Sequence, residues 1–91
     1  MVSDRKLLFD KITRSKKYAD GVRAFGNGDY FLAHEYWEAV WLKQKDIKIR
    51  HWVQGQIQIA GAFLLLEKGR KAASKRLLSR ALHHLISSNN W

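Results

Sequence analysis

The sequence contains no cysteine and no proline, and its longest apolar run, IAGAFLLL from Ile59 to Leu66, is short. Without cysteine the chain has no disulfide framework, no thiolate metal site and no cysteine nucleophile. The apolar run is too short to cross a bilayer, and the charges of the amino-terminal stretch MVSDRKLLFDKI do not fit a signal peptide. We therefore expect a cytoplasmic protein that does not insert into membranes.

The chain has 91 residues, which predicts a single helical domain, residues 1–91, with a modest core. Domains of this size are marginally stable, so a partner subunit would help to stabilise the fold. The four Trp, four Phe and three Tyr are more large aromatic residues than so small a core readily covers. A homo-oligomer with some of these rings at its interface is therefore one prediction for the partners.

The absence of proline and the scarcity of β-branched residues predict helix throughout. The expected fold class is all-α, a small bundle of four to five helices around a central apolar helix. The first helix is expected to run from Asp4 to Phe25, capped by Ser3, with a basic part at 4–17 and candidate breaks at 15–17 and Gly21. The later helices are expected at about 29–45, at about 49–68, which is the central one, and from the turn at 68–69 onward, with Trp91 a candidate for docking.

A faint internal repeat relates the two halves of the chain at an offset of 41 residues. Phe25, Gly28, Trp37 and Trp41 align with Leu66, Gly69, Leu78 and Leu82. Each half then contains a helix, a glycine turn and a second helix, and the spacing of Gly28, Tyr30 and Ala33 is similar to half a tetratricopeptide unit. Two such copies cannot form a solenoid, so the repeat predicts tetratricopeptide-like helix pairs that pack alike.

The net charge is +9, and it is unevenly distributed. Half of the eight acidic residues lie within residues 24–47, whereas both ends of the chain are basic. The last helix presents a basic outer face, which makes nonspecific attraction to nucleic acid or other anions an alternative function. No Asn or Gln that could read base edges lies on that face. The residues of this alternative site are Arg70, Lys71, Lys75, Arg76 and Arg80.

The stretch DYFLAHEYWEAVW, from Asp29 to Trp41, places polar groups among aromatic ones on a predicted helix. His34 and Glu38 are four residues apart and therefore lie side by side on one face. Gln54 and Gln58 show the same spacing on the central helix, which predicts that the two polar stripes hydrogen bond across the helix interface. The supporting residues of this polar site are Glu35, Trp37, Trp41, Gln54 and Gln58.

The stretches FGNGDYFLAHEYWEAVW and VQGQIQIAGAFLLLEKG, with the Ala- and Leu-rich last helix, resemble the family known as domain of unknown function 309. The resemblance covers about residues 18–85. Its motif is His, three residues, Glu, two residues and then Trp or Tyr, here His34, Glu38 and Trp41. The resemblance implies an all-helical fold and a motif proposed to bind metal, without a settled activity.

Binding of a metal ion or a small ligand, and a structural or protein-interaction role, are all open for this motif. His34 and Glu38 are a suitable pair of ligands for a divalent metal ion, but a zinc or iron site needs three or four, and Glu35, His51 and His84 are the other candidates. The alternative is a network of hydrogen bonds and ion pairs that specifies packing. Acid–base chemistry by His34, Glu35 and Glu38 is also open, although no pattern names a substrate or a catalytic residue.

Overall fold

The computed structural model describes residues 4–88, and it contains five α-helices and no strand within that range. The all-α prediction is thereby confirmed. The predictions that Ser3 caps the first helix and that Trp91 docks lie outside the described residues. The helices are α1 Asp4–Thr13, α2 Lys16–Gly26, α3 Tyr30–Leu42, α4 Ile47–Glu67 and α5 Lys71–Ser88.

The predicted first helix is two helices, and the break lies at Arg14 and Ser15. The Ser15 hydroxyl donates to the carbonyl of Ile12 at 2.7 Å and accepts from the N–H of Tyr18, so the same residue ends α1 and caps α2. The predicted basic helix 4–17 therefore extends four residues beyond the observed end at Thr13. Gly21, the other candidate break, lies inside α2.

Two glycine turns have the same geometry and stand 41 residues apart. Gly28 has a φ of 81° and Gly69 a φ of 76°, which is the left-handed region where glycine is strongly preferred. In each turn the glycine N–H bonds to the carbonyl three residues back, and the next N–H bonds to the carbonyl five residues back. This is the Schellman arrangement, and it gives α2–α3 and α4–α5 equivalent connections.

Helix α4 lies in the middle of the molecule, packed between α3 and α5, while α2 packs mainly against α3 and α1 contacts both α2 and α4. The prediction of a central apolar helix is confirmed. Gly55 permits the close approach of α5, because a Cβ there would lie 2.7 Å from Leu85 Cγ. The buried hydroxyl of Ser74 donates to the Ala62 carbonyl at 2.8 Å and fixes the register of the two helices. The core cluster consists of Ile12, Ala24, Ala33, Trp37, Val40, Ile49, Val53, Ile57 and Ala60.

Most of the aromatic rings pack against one another inside the bundle. Tyr18 stacks on Trp52 with a centroid distance of 5.4 Å, and Phe25 stacks on Trp37 at 5.8 Å. Phe31, by contrast, is 59% exposed. Aliphatic residues are exposed as well, notably Leu78, Leu82 and Ile86, spaced four apart along α5. The homo-oligomer therefore stays a prediction, with aliphatic rather than aromatic residues as its candidate contacts.

Asp46 joins the start of α4 to α1. Its carboxylate accepts hydrogen bonds from the backbone N–H groups of Lys48 and Ile49 and from Arg5 Nε at 2.9 and 3.0 Å. Burial alone would raise the pKa of Asp46, but the N–H of Ile49 and the bond and charge of Arg5 hold that pKa below its ordinary value. The carboxylate is therefore stabilised in its ionised form.

We expect Asp46→Ala to lower the free energy of unfolding by about 1–2 kcal/mol, through loss of the cap and of a partly exposed ion pair. Asp29→Ala is the control, because the exposed Asp29 carboxylate caps α3 through a single bond from Leu32 N–H; it should cost only about 0.5 kcal/mol. Urea unfolding followed by circular dichroism measures both. As the pH falls, the Asp46 carboxylate is protonated in the unfolded protein before it is protonated in the folded protein. The loss of stability caused by Asp46→Ala should therefore disappear as the pH falls through the folded pKa of Asp46. Equal losses of stability in Asp46→Ala and Asp29→Ala would contradict the role of Arg5.

Candidate functional site

The orientation of α3 is set by Trp37, which is 6% exposed and donates from its indole N–H to the carbonyl of Tyr18 at 3.3 Å. His34, Glu38 and Trp41 lie on a neighbouring face of the same helix, at the i, i+4 and i+7 positions. Trp37 is therefore a core residue. His34 and Glu38 lie at the edge of the α3–α4 interface, next to the core and not inside it.

His34 lies between two carboxylates. Its Nε2 is 3.7 Å from Glu38 Oε2, and its Nδ1 is 3.8 Å from Glu35 Oε1. Both distances are longer than a hydrogen bond, so the interactions are those of nearby charges. The His34 imidazole is 33% exposed, whereas Glu35 and Glu38 are about half exposed. The predicted juxtaposition of His34 and Glu38 is thus present, with the carboxylates at the solvent side.

His34 and Gln58 lie at the same level of the antiparallel pair α3 and α4. Tyr30 stacks on Phe63 at a centroid distance of 5.2 Å, and the Arg50 guanidinium lies 3.9 Å from the Trp41 ring. Position 34 is four residues after Tyr30, and position 58 is five residues before Phe63, so the two positions lie at about the same level along the helix axes.

Two polar atoms at this level are buried and have no hydrogen-bond partner among the described residues: His34 Nδ1 and Gln58 Oε1. The hypothesis that the polar stripes of α3 and α4 satisfy each other's hydrogen bonds is therefore not what the structure contains. A buried polar atom without a partner costs free energy, and such atoms are uncommon in folded proteins. Two of them at one level indicate a place where a bound polar group would be stabilised.

Gln54 lies one turn from Gln58, in a cavity of about 300 Å³ between α3, α4 and α5. Ile47, Gln54 and Gln58 share one face of α4, and this face, with the cavity at one end of it, is named here the α4 groove. Another cavity, of about 370 Å³, lies between α1 and α3 and contains none of the predicted site residues. The lining of the first cavity is Trp41, Ile47, Arg50, His51, Gln54 and His84.

A histidine pair crosses this end of the groove. His51 Nδ1 and His84 Nδ1 are 2.8 Å apart, although the residues are 33 positions apart in the sequence. Burial, and then the charges of His51 and His83, lower the pKa of His84. The sequence pattern indicates His51 and His84 only as separate candidate ligands, and it does not predict their direct contact. The sequence feature that could have indicated the contact is that both histidines lie on the inner faces of adjacent helices.

A family model described as "Domain of unknown function (DUF309)" matches residues 18–77 of the chain. The chain belongs to the DUF309 family. The predicted family resemblance is thereby confirmed. No curated protein and no solved structure matches the chain.

Among residues 4–88 the donors of this DUF309 domain fall short of a zinc or iron site. No group of three His, Cys, Asp or Glu residues within 4–88 is arranged to hold one. His34 and Glu38 supply two ligands, and Glu35 approaches His34 Nδ1 rather than a point shared by all three. A site for zinc or iron needs at least one further protein ligand.

The five predicted basic residues are all exposed, one just before α5 and four within it: Arg70, Lys71, Lys75, Arg76 and Arg80. They include two pairs spaced four apart, Lys71 with Lys75 and Arg76 with Arg80, which lie on different sides of the helix. Such a distribution favours general attraction to anions over the reading of a particular surface. Of the described helices, none is both long and apolar enough to span a membrane.

Proposed function

We propose that this DUF309 domain binds a small organic cation with N–H donors, an amine or ammonium group, in the α4 groove at the level of His34 and Gln58. The observation that supports this proposal is the pair of buried, unpartnered atoms, His34 Nδ1 and Gln58 Oε1. Gln58 Oε1 is an acceptor, so its missing partner must be a donor.

The Nε2–H tautomer of His34 would bind the same ligand class. A carboxylate lies near each ring nitrogen, Glu38 Oε2 at 3.7 Å from Nε2 and Glu35 Oε1 at 3.8 Å from Nδ1, so the two carboxylates do not select a tautomer. With the proton on Nε2, Nδ1 carries the lone pair and is an acceptor, as Gln58 Oε1 is. A primary ammonium group has three N–H donors and can therefore supply more than one acceptor.

The charges at the rim favour a cation. Glu35 and Glu38 both lie within 4 Å of His34, and among residues 4–88 neither carboxylate forms an ion pair with Lys or Arg. Two uncompensated carboxylates beside a partly buried site stabilise a positive ligand and disfavour an anion. The amide oxygen, the imidazole and the two carboxylates are therefore complementary to a protonated amine.

The test compares methylammonium with tetramethylammonium by isothermal titration calorimetry at low ionic strength. Both ions carry one positive charge, but only methylammonium has N–H donors. We expect saturable binding of methylammonium alone, weakened roughly tenfold or more by His34→Ala and by Gln58→Leu, because a hydrogen bond with a charged partner contributes about 1.5–3 kcal/mol. Glu38→Gln should weaken binding, whereas Glu67→Gln, the same charge change at an exposed position of α4, should not.

Gln58→Leu also separates ligand binding from a structural network. Removing a buried acceptor that has no partner should leave the free energy of unfolding unchanged or raise it by up to about 1 kcal/mol, while binding is lost. Equal heats from the two ions, or unchanged binding by Gln58→Leu, would contradict the proposal. If elemental analysis found metal in the purified protein, and the metal were lost in both His34→Ala and Glu38→Ala, the ligand of this site would be a metal ion and not an amine.

A further inference from the structure

The two rings of the His51–His84 pair meet end to end. Their centroids are 5.0 Å apart, which is close to the 2.8 Å between the Nδ1 atoms plus the two ring radii. The Nδ1 atoms therefore point at each other, as in a hydrogen bond. Two histidines bound to one tetrahedral metal ion at about 2.0–2.1 Å would hold their ligating nitrogens about 3.3 Å apart, which is farther than the 2.8 Å observed. The geometry indicates a shared proton and not a metal site.

This contact determines where the protons of the pair lie. In the neutral pair one Nδ1 donates to the other, so one ring has a proton on Nε2 and the other has a lone pair there. One further proton converts the pair to imidazole–imidazolium, in which both Nε2 atoms are donors and the pair carries one positive charge. Within residues 4–88, neither Nε2 has a hydrogen-bond partner.

The other polar groups of the cavity are donors too. Arg50 Nη1 donates to the carbonyls of Gln44 and Trp41 at 2.8 and 3.3 Å, which leaves Nε and Nη2 without a partner in the described part of the protein. The Gln54 amide lines the same cavity and forms no hydrogen bond there with any residue from 4 to 88. When the histidine pair is protonated, unused donors of the cavity therefore come from three residues of α4, Arg50, His51 and Gln54, and from His84 of α5.

Arg50 of helix α4 brings a permanent positive charge to the cavity. On α5, the exposed His83 lies beside His84 but outside the cavity lining. Helix α3 contributes the uncharged Trp41, and its carboxylate Glu38 lies one turn away, beside His34. No acidic residue among 4–88 lines the cavity. A cation would be repelled here, and an anion would be attracted.

We propose that the cavity between Trp41 and the His51–His84 pair binds a small oxyanion, a carboxylate or a phosphate group. The free N–H groups of Arg50 match the two oxygens of such an anion, the Gln54 amide donates to it, and the histidine pair supplies an Nε2–H. The Trp41 ring and Ile47 close the remaining walls with apolar surface. This site shares no residue with the proposed amine site.

Protonation of the pair and binding of the anion support each other. In the free protein, burial and the neighbouring histidines lower the pKa of His84, which disfavours the charged pair. A bound oxyanion compensates that charge and raises the pKa. By linkage, affinity for the anion increases as the pH falls through the raised pKa of the complex, and it levels off below the lowered pKa of His84 in the free protein.

The test uses sodium acetate and sodium phosphate as separate probes, with sodium chloride at equal ionic strength as the reference. The imidazole proton resonances of the histidines are followed by NMR between pH 6 and 8. Saturable shifts of His51 and His84 with acetate alone indicate a carboxylate, and shifts with phosphate alone indicate a phosphate group. Shifts with both indicate a general oxyanion site, and all three outcomes support the proposal.

His84→Gln and Gln54→Leu should each weaken binding roughly tenfold or more, because each removes a donor to a charged group. His83→Gln is the matched control, since His83 is the exposed neighbour and does not line the cavity; it should leave affinity within about twofold. Gln54→Leu keeps the histidine pair intact, so it tests the site even if His84→Gln disturbs the helix contact. Shifts equal to those in chloride, affinity unchanged in Gln54→Leu, or affinity that does not rise at lower pH would overturn the proposal.

Discussion

Ile49→Ala is expected to lower the free energy of unfolding by about 2–5 kcal/mol, a large part of the roughly 5–10 kcal/mol available to a domain of this size. Ile49 is completely buried, in the first turn of α4, where this helix joins the core formed with α3. Alanine would leave a cavity that the surrounding helices cannot fill without moving, so contact energy is lost together with the transfer free energy of the removed atoms. Urea unfolding monitored by circular dichroism measures the loss.

Ile47→Ala is the control for this prediction. It is the same substitution two residues earlier in the same helix, at a residue that is 65% exposed. We expect a change of no more than about 0.5 kcal/mol. Similar losses in the two variants would mean that the first turn of α4 is not packed as described.

Gly21→Ala should destabilise the protein by about 1–3 kcal/mol, even though alanine is the better helix former. A Cβ at position 21 would lie 2.5 Å from Trp37 Cδ1, with the indole nitrogen closer still. Trp37 would have to move, which would weaken its hydrogen bond to Tyr18 and its stacking on Phe25. Thermal unfolding measures the cost, and near-ultraviolet circular dichroism reports the displaced indole.

Gly26→Ala is the matched substitution in the same helix. No atom lies within 4 Å of a Cβ built at Gly26, and its φ is not positive. Alanine restricts the unfolded chain more than glycine does. The free energy of unfolding of this variant should therefore equal that of the parent or exceed it by up to about 1 kcal/mol. If both glycine variants lost stability to the same extent, backbone conformation and not contact with Trp37 would explain the effect.

The secondary structure could be predicted from local pattern because its determinants are local. Gly28 and Gly69 mark both turns, and the 41-residue offset of the sequence repeat is also the offset between the two Schellman turns. The role of Gly21 could not be predicted in this way. A glycine inside a helical pattern is either a break or a close contact, and only the position of Trp37 on the neighbouring helix decides between them.

The candidate site could be predicted within one helix but not between helices. The four-residue spacing of His34 and Glu38 fixes their proximity, which the structure retains at 3.7 Å. Whether they face the core depends on the rotation of α3, and the contact of Trp37 with α2 sets that rotation. The His51–His84 contact depends on the register of α4 against α5, which Gly55 and the Ser74–Ala62 hydrogen bond determine. The sequence pattern of either helix alone does not predict how the two helices are aligned.

The order of the helices also bears on how the protein reaches its folded state. From α2 onward, the major contacts join α2 with α3, α3 with α4 and α4 with α5, so the helices pack mainly on their neighbours in the sequence. Such contacts close short loops and need little entropy to form, and topologies dominated by them fold in microseconds to milliseconds. The molecule can therefore assemble by successive docking of adjacent hairpins, without waiting for its two ends to meet.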